Sequence, residues 1–267
     1  MDYKGFIIRC LGLDVPRVAL AQIGLQNNQE KAIRHSLKLL NSAGSSDSDI
    51  VCLPELWYSK ILTNFETQFV KIMAVAKEYN MTVIPGAFIE RSKKTDNREG
   101  LLQISCPVIT NEGTILGSQL KIHPFGPQRK VIRAGNKLQV FESSNIRFGI
   151  GICYDIVFPD ISRTLVKKGA DIIFFPSKIR HEGIKPWHMY VQVRALENRV
   201  PIAAPNVCDV NKIYKGKSIL VDFNYASKTD IAIPKLRIGS SVNEHILMVD
   251  IDLKYAKRLR KKRFENL

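Results

Sequence analysis

The sequence lacks the features of several common protein classes. Its cysteines are widely spaced and form no C-x-x-C pair, so neither a disulfide framework nor a thiolate zinc site is indicated. No apolar run reaches 18 residues, which argues against a membrane-spanning helix. No apolar N-terminal stretch ends in a small-residue cleavage signal, so no signal peptide is predicted. We therefore expect a cytoplasmic protein of a reducing compartment, without a membrane partner. The five cysteines are Cys10, Cys52, Cys106, Cys153 and Cys208.

Signatures of other enzyme classes are also missing. There is no G-x-S-x-G string, no Ser–His–Asp arrangement and no glycine-rich phosphate loop. No cluster of His, Asp and Glu has the spacing of metal ligands, so we predict no metal and no cofactor. The chain of 267 residues contains no internal repeat, low-complexity segment or linker-like stretch, which favours one domain.

The charge of the chain is strongly basic. Lys and Arg number 40 against 25 Asp and Glu, a formal net charge of +15. Such a charge indicates either a nucleic-acid or acidic-membrane partner or a solvated basic surface. We favour the solvated surface, because no nucleic-acid recognition motif accompanies the charge. The basic tail 254–263 is likewise expected to be a solvated helix or an arm that crosses a dimer.

Short apolar runs alternate with segments of helical periodicity. Strands are predicted at 17–23, 49–53, 82–89, 101–110, 114–122, 147–152, 171–175, 201–204, 217–223 and 245–251. Helices are predicted at 27–40, 65–79, 158–168 and 186–199. A turn at Asn111, Glu112 and Gly113 joins two extended runs into a hairpin. This order of elements predicts an α/β fold in which two mixed sheets pack face to face with helices outside.

Cys153 follows an apolar strand and precedes a turn and a helix. A nucleophile on such a turn projects beyond the sheet, and the next backbone N–H can point at a developing oxyanion. Because the thiolate is the reactive form, the site must lower the thiol pKa or supply a base. Taken alone, this cysteine is better explained as a small buried hydrophobic residue.

Two charged residues also end predicted strands. Glu55 stands at the mouth of a buried strand, where a partly desolvated carboxylate can carry a proton from a thiol to a leaving amine. Lys121 ends the second hairpin strand, where an ammonium can stabilise a tetrahedral intermediate and favour a thiolate. Taken alone, Glu55 is better explained as a solvated loop acid and Lys121 as an ordinary strand-end lysine.

Four strings that occur in order favour the catalytic interpretation of these three residues over the non-catalytic one. Together the strings closely resemble the signature segments of the nitrilase, or carbon–nitrogen hydrolase, superfamily. The similarity covers nearly the whole chain. The Cys-Tyr-Asp string is similar to the amidase branches, whereas nitrile hydrolases usually carry Trp after the cysteine. The four strings are Leu53-Pro54-Glu55-Leu56, Leu120-Lys121-Ile122-His123, Gly151-Ile152-Cys153-Tyr154-Asp155 followed by Phe158-Pro159-Asp160, and Arg194-Ala195-Leu196-Glu197-Asn198.

The resemblance implies both a fold and a mechanism. The fold is a four-layer αββα sandwich that forms a homodimer or a higher homo-oligomer through its helical layers. Cys153 attacks an amide carbonyl, Glu55 carries the proton, and Lys121 with the backbone N–H of Tyr154 holds the oxyanion. Ammonia leaves a thioester on Cys153, which water hydrolyses. The implied domain covers 17–253, between a short N-terminal extension, 1–16, and the basic tail, 254–267.

Three positions depart from the family pattern. Gln128 stands where many members carry a second glutamate beside the lysine, so the site keeps an amide but loses a charge. The segment between Glu55 and Ile84 is shorter than usual, which predicts a more open pocket and a larger substrate. Val157 replaces an arginine of several amidase branches, which weakens the case for a dicarboxylate monoamide as substrate.

The predicted function is hydrolysis of a small carboxamide or carbamoyl compound to an acid and ammonia. The alternative is a catalytically silent member of the superfamily that binds a small amide or a protein partner, which Gln128 favours. A nucleic-acid-associated protein ranks third and is not expected. Trp187 is assigned either to the pocket wall or to packing.

Overall fold

Two mixed β-sheets lie face to face in the computed structural model, which describes residues 15–92, 100–224 and 231–264. Of the predicted N-terminal extension, only Val15 and Pro16 fall within this part of the chain. Helices cover the outer face of each sheet, and the predicted αββα sandwich is confirmed. No helix of the described part is both long and apolar enough to span a bilayer.

The first sheet has seven strands, and its centre is parallel. β1, β2 and β3 run parallel to one another, and β13 closes one edge antiparallel to β1. β5 runs antiparallel to β3, and both β4 and β6 pair antiparallel with β5. The strands are β1 (Arg17–Gln22), β2 (Ile50–Cys52), β3 (Thr82–Ile84), β4 (Phe88–Arg91), β5 (Leu102–Ile109), β6 (Ile115–Leu120) and β13 (His245–Asp250).

The second sheet has six strands in the order β12-β11-β10-β9-β8-β7. Its central strands β8, β9 and β10 are parallel, and the outer strands pair antiparallel. The strands are β7 (Val140–Ser143), β8 (Ile146–Ile150), β9 (Ile172–Phe174), β10 (Ile202–Ala204), β11 (Ile219–Phe223) and β12 (Pro234–Ile238).

Six α-helices of the described residues complete the sandwich: α1 (Gln29–Gly44), α2 (Phe65–Gln68), α3 (Val70–Glu78), α4 (Pro159–Lys167), α5 (Ile184–Asn198) and α6 (Leu253–Phe264). Residues of α1 and α3 pack on the outer face of the first sheet, and residues of α4, α5 and α6 pack on that of the second. A third apolar cluster lies between the sheets and contains Leu20, Ile50, Phe148 and Ile150. Burial on both faces explains why the central strands read as continuous apolar runs.

Local signals in the sequence account for several boundaries. The side chain of Asn28 caps α1 by accepting from the Lys31 N–H at 3.1 Å. The predicted hairpin turn forms between β5 and β6, where Gly113 adopts a φ of +77° and its N–H donates to the Thr110 carbonyl. The predicted helix 158–168 ends before Gly169, which has a φ of +94°.

Some predicted boundaries are wrong. The strand predicted at 82–89 is two strands, β3 and β4, because Gly86 has a φ of +99° and a Cβ there would lie 2.0 Å from the Pro54 carbonyl oxygen. The helix predicted at 65–79 breaks at Phe69. The short strands β7 and β12 were missed, since four or five residues carry too little periodicity.

The basic tail forms α6. Its buried residues Tyr255, Ala256 and Leu259 pack against the second sheet. Arg260 donates to the Asp171 carboxylate at 3.1 Å, and most of the other cations of the helix are exposed. The tail is therefore a helix with one apolar face docked on the domain and its charged face in solvent.

Candidate active site

Cys153 occupies a tight turn between a buried strand and a helix. A 3-10 helix, Cys153–Val157, follows β8 and leads into α4. The backbone φ of Cys153 is +50°, a strained value for a residue with a Cβ. Its N–H donates to the Pro176 carbonyl at 3.0 Å, which anchors the turn to the segment after β9. The turn places the thiol at the carboxyl end of the parallel strands.

Glu55 and Lys121 meet at the corresponding end of the first sheet. Glu55 follows β2, and Lys121 follows β6, which runs in the same direction as β2 because two antiparallel pairings separate β6 from β3. The Lys121 Nζ donates to the Glu55 Oε1 at 2.6 Å. Glu55, Lys121 and Cys153 are 2%, 1% and 8% exposed. The structure therefore brings the three residues together in a site almost closed to water.

The charges of this site act strongly on one another. Burial, with a smaller effect of the Glu55 carboxylate, raises the pKa of the Cys153 thiol to about 12, although Lys121 opposes the shift. Burial lowers the pKa of Lys121, but the charges of Glu55 and Cys153 outweigh burial and leave that pKa raised. At neutral pH the lysine is thus an ammonium and the cysteine is a thiol, so the site needs a base rather than a preformed thiolate.

Gln128 lies beside the lysine. Its side-chain oxygen Oε1 accepts from the Lys121 Nζ at 3.1 Å and from the Phe125 N–H at 3.0 Å. A 3-10 helix, Gly126–Lys130, carries it. The Gln128 oxygen and the Glu55 carboxylate thus hold the ammonium from two directions, but only Glu55 brings a negative charge.

Asp155 is a site residue to which the sequence analysis gave no role. It is fully buried, and its carboxylate accepts from the backbone N–H groups of Ile152 at 2.9 Å and of His123 at 2.8 Å. The imidazole of His123 also contacts it at 3.0 Å and stacks on Phe158 with 3.6 Å between ring centroids. Asp155 therefore ties the cysteine turn to the segment that follows Lys121. A signal existed, because an acidic residue sits inside an otherwise apolar string.

The contacts of Arg194 give the fourth string, 194–198, a structural role. Its guanidinium donates to the backbone carbonyls of Ile156 at 3.0 Å and Val157 at 2.7 Å, and it pairs with Glu197 at 3.1 Å. These carbonyls belong to the turn that starts at Cys153. The arginine of α5 thus braces the nucleophile's turn from the side opposite the first sheet.

Lys178 is a second lysine at the site, and the sequence analysis missed it. It is half-buried, and its backbone N–H lies close enough to the Cys153 sulfur to lower the thiol pKa. Its Nζ donates to the Leu56 carbonyl at 3.2 Å and lies 5.3 Å from the centre of the Tyr214 ring. Nothing local marked this residue, since its neighbours come from segments far away in the sequence.

Two predicted pocket residues have different surroundings. The ring of Tyr154 packs against Phe125 and Phe158, with centroids 4.9 and 5.4 Å away. Trp187 is buried in the apolar cluster between the second sheet and its helices, and its indole Nε1 has no hydrogen-bond partner among the described residues. A role of Trp187 in the pocket wall stays a prediction.

The expectation of a more open pocket is wrong, because the three charged and nucleophilic groups are almost sealed from solvent. The short segment after Glu55 is filled by an aromatic cluster. Trp57 contacts Phe69 and Phe88 at centroid distances of 5.9 and 5.6 Å, and its indole donates to the Pro85 carbonyl at 2.7 Å. Large rings thus pack closely in the segment after Glu55.

The arrangement can perform thiol chemistry without a metal. A carboxylate beside a thiol can take its proton, and an ammonium held by two acceptors can stabilise a developing oxyanion. Within residues 15–92, 100–224 and 231–264, no group of three or more His, Cys, Asp or Glu side chains has a geometry that suits a metal ion.

Comparisons with known proteins show which proteins the chain is similar to. The chain is 27% identical to Omega-amidase NIT2 of Xenopus tropicalis, over 91% of each protein. It is also 27% identical to the deaminated glutathione amidase of Dictyostelium discoideum, over 70% of this chain and 72% of the other. Among solved structures, Nit3 of Saccharomyces cerevisiae superposes with a TM-score of 0.80 at 20% identity and covers 96% of each chain.

A second structure has the same fold. The carbon–nitrogen hydrolase of Helicobacter pylori G27 has a TM-score of 0.77 at 21% identity, over 94% of each chain. The sequence model of the carbon–nitrogen hydrolase family matches residues 17–261. The chain therefore belongs to the carbon–nitrogen hydrolase family and is a hydrolase of carbon–nitrogen bonds.

Proposed function

We propose that this protein is a thiol amidohydrolase that converts a small carboxamide or carbamoyl compound to an acid and ammonia. One observation carries the proposal: the Lys121 ammonium lies 2.6 Å from the Glu55 carboxylate in a buried site beside the Cys153 thiol. A nucleophile, a base and an oxyanion-binding cation are the three groups that acyl transfer through a thioester requires. The names of the amidase relatives support an amide rather than a nitrile substrate.

The first half-reaction forms the thioester. Glu55 takes the thiol proton while the Cys153 sulfur attacks the carbonyl carbon, and the carbonyl π electrons move to the oxygen. Lys121 and the backbone N–H of Tyr154 hold that oxyanion. When the tetrahedral intermediate collapses, the C–N bond breaks and Glu55 gives its proton to the nitrogen, which leaves as ammonia. The base must act in the same step as the attack, because the Cys153 pKa of about 12 leaves little free thiolate.

The second half-reaction restores the enzyme. Glu55 takes a proton from a water molecule as the water oxygen attacks the thioester carbon. The same donors hold the new oxyanion. Collapse breaks the C–S bond, the acid leaves, and the proton returns from Glu55 to Cys153. One carboxylate thus serves both half-reactions, which fits its burial beside both Lys121 and the thiol.

Lys121 is suited to oxyanion binding because its position is fixed. The Glu55 and Gln128 oxygens accept from its Nζ at 2.6 and 3.1 Å, so the ammonium needs little reorganisation as charge develops. Removal of one such donor from an acyl-transfer site costs about 10²–10³ in kcat.

The alternative is a silent relative that binds a small amide or a protein partner. The neutral Gln128 and the high pKa of Cys153 favour it. Against it, Gln128 still holds the lysine, and a glutamate at that position would add a second negative charge that opposes thiolate formation. We therefore favour the active enzyme.

Ammonia release and thioester trapping test the proposal. The purified protein is incubated with a panel of carboxamides and carbamoyl compounds, with and without hydroxylamine, which attacks a thioester to form a hydroxamate. We expect ammonia with wild type, hydroxamate when hydroxylamine is present, and neither with Cys153→Ala. Binding of an amide by calorimetry without ammonia release would establish the silent reading. Equal ammonia release by Cys153→Ala would contradict the mechanism.

We also propose a cytoplasmic homodimer, with the carbon–nitrogen hydrolase domain at 17–253 and no nucleic-acid partner. The outer surface of α5 exposes two large apolar side chains one turn apart, Met189 at 66% and Val193 at 47%. Apolar residues at this spacing form a stripe that a second helical layer can cover. The predicted pairing through helical layers therefore has a suitable surface in this chain.

A further inference from the structure

Asn206 is a buried amide that clamps the chain after β9. It follows β10 and is fully buried. Its Oδ1 accepts from the Ile179 N–H at 2.8 Å, and its Nδ2 donates to the Ile179 carbonyl at 3.2 Å and to the Gly216 carbonyl at 2.7 Å. One side chain thus holds both the N–H and the carbonyl of Ile179. Such contacts fix the conformation of a loop, because each broken bond leaves a buried polar group without its partner.

The clamped segment, 176–179, receives backbone hydrogen bonds from both the nucleophile and the base. The Cys153 N–H donates to the Pro176 carbonyl at 3.0 Å, and the Glu55 N–H donates to the Ser177 carbonyl at 3.3 Å. Cys153 follows β8 of the second sheet, whereas Glu55 follows β2 of the first. The segment therefore joins the two halves of the site through backbone contacts.

The Lys178 peptide group brings the same segment to the sulfur. Its backbone N–H lies beside the Cys153 Sγ and opposes the burial that raises the pKa of this thiol to about 12. A donor at this place stabilises negative charge on the sulfur when the thiol loses its proton, and again when the thiolate is the leaving group. Because Ile179 is the next residue, its hydrogen bonds to Asn206 restrict the orientation of this N–H.

A chain of buried hydrogen bonds anchors Asn206 in turn. Its backbone N–H donates to the Ser218 Oγ at 2.9 Å, and that hydroxyl donates to the Gln22 Oε1 at 3.0 Å. Gln22 ends β1 of the first sheet, and all three residues are fully buried. Satisfied buried networks of this kind are rigid. The clamp is therefore fixed to both sheets.

We propose that Asn206 is a positioning residue of the active site, which holds segment 176–179 so that the Cys153 sulfur and the Glu55 carboxylate keep the geometry of proton transfer. Its side chain bonds Ile179 and Gly216, so its effect on the thiol passes through the backbone. For turnover the inference rests on the proposed amidohydrolase function. The reactivity of the thiol tests it independently of any hydrolysis.

Alkylation of Cys153 by iodoacetamide is the first test. The sulfur–carbon bond forms, the carbon–iodine bond breaks, iodide leaves and the thiol proton goes to solvent. Asn206→Leu removes the clamp with little change in volume. Loss of one hydrogen bond to a developing charge corresponds to about one pKa unit. The greater nucleophilicity of the more basic thiolate offsets part of this, so we expect the Cys153 rate at pH 9, followed by peptide mass mapping, to fall about threefold to fourfold.

Cys208 distinguishes positioning from a general loss of structure. It is 2% exposed, lies close to Asn206 in the sequence, and its N–H donates to the Ile23 carbonyl at 3.0 Å. A purely structural role of Asn206 would loosen this region, so that Cys153 and Cys208 would both react faster. We expect the Cys208 rate to change less than about twofold. Faster alkylation of both cysteines, or an unchanged rate at Cys153, overturns the inference.

Two further variants complete the alkylation test. Thr82→Val is the matched control, because Thr82 is fully buried and its Oγ1 contacts the Oγ atoms of Ser143 and Ser144 at 2.7 and 3.0 Å. It begins β3, at the end of the sheet opposite the active site, and its replacement should leave the Cys153 rate unchanged. Asn206→Ser is a milder change that cannot hold both groups of the segment. It should slow Cys153 in the same direction, and it takes the place of Asn206→Leu if that variant does not fold.

Turnover supplies the second arm, with the carboxamide that the wild type hydrolyses fastest. We expect Asn206→Leu to lower kcat about 10–100-fold while KM changes less than about threefold, because misplaced reacting groups slow the chemical step rather than binding. Thr82→Val should keep both constants. If alkylation responds to Asn206 but no amide is hydrolysed, the positioning role stands and the proposed function fails. If amides are hydrolysed but Asn206→Leu leaves kcat unchanged, the function stands and the positioning role is wrong.

Discussion

The reactivity of Cys153 gives the sharpest prediction, because burial raises the pKa of its thiol to about 12. At pH 7.5 the thiolate is then about 0.003% of the total, against about 9% for a free cysteine with a pKa of about 8.5. That is a deficit of about 3,000-fold. A more basic thiolate is also a stronger nucleophile, and at a Brønsted slope of about 0.4–0.5 this offsets about 25–55-fold of the deficit. Alkylation of Cys153 should therefore be about 50–120-fold slower than that of N-acetylcysteine.

The pH profile is the more decisive measurement, since steric shielding changes the rate but not its slope. Below its pKa a thiol gains tenfold in thiolate for each pH unit. We expect the iodoacetamide rate at Cys153, followed by peptide mass mapping from pH 7 to 10, to rise tenfold per unit without a plateau. The fully buried Cys52 and Cys106, whose pKa values are also raised, serve as internal references for local unfolding.

Two variants test the cause of the raised pKa. The Glu55 carboxylate raises the pKa of Cys153 and the Lys121 ammonium lowers it. Glu55→Gln should therefore speed alkylation at a given pH, whereas Lys121→Met should slow it. The reasoning is refuted if the wild-type rate levels off below pH 9, or if Cys153 reacts faster than N-acetylcysteine at pH 7.5. Either result would mean that the resting site holds a thiolate or that Glu55 takes the thiol proton during alkylation.

Three further predictions concern catalysis, stability and assembly. Lys121→Met should lower kcat for ammonia release about 10²–10³-fold, because an oxyanion donor is lost; a loss below tenfold would contradict its role. Gln22 is fully buried, and its side-chain amide donates to two loop carbonyls at 2.8 and 2.9 Å and accepts twice from Ser218 at 3.0 Å. Gln22→Met should therefore reduce the free energy of unfolding in urea by about 2–5 kcal/mol. A loss below about 1 kcal/mol would count against these bonds. Replacing Met189 and Val193 together by Glu should convert a dimer into a monomer by light scattering, with α5 still helical by circular dichroism; an unchanged mass would place the interface elsewhere.

Much of the fold was predictable because its signals are local. Ten strands and four helices were predicted from apolar runs, helical periodicity and turn residues, and the layered α/β class follows from their order. The misassigned segment 82–89 shows the limit of such signals. Its residues are apolar throughout, and the break at Gly86 depends on how closely the chain approaches Pro54, which is 32 positions away.

The candidate site also has residues that the sequence predicted and residues that it did not. Glu55, Lys121 and Cys153 were found because each ends a strand within a recognisable string, and the carboxyl ends of parallel strands share one edge of a sheet. Asp155 received no role although it lies in one of those strings. Its function depends on the backbone of His123, 32 residues distant, which no local pattern shows.

The sequence by itself determined which residue types stand at the strand ends, the family of the chain and the class of reaction. Only the tertiary structure decided how far the groups are desolvated, and hence that the thiol is protonated at rest. It also decided that Lys178 reaches the carbonyl after Glu55 across 122 residues. The physical reason is that periodicity and turn chemistry act between near neighbours, whereas burial and charge interactions depend on distances in space, which are set only when the sheets pack.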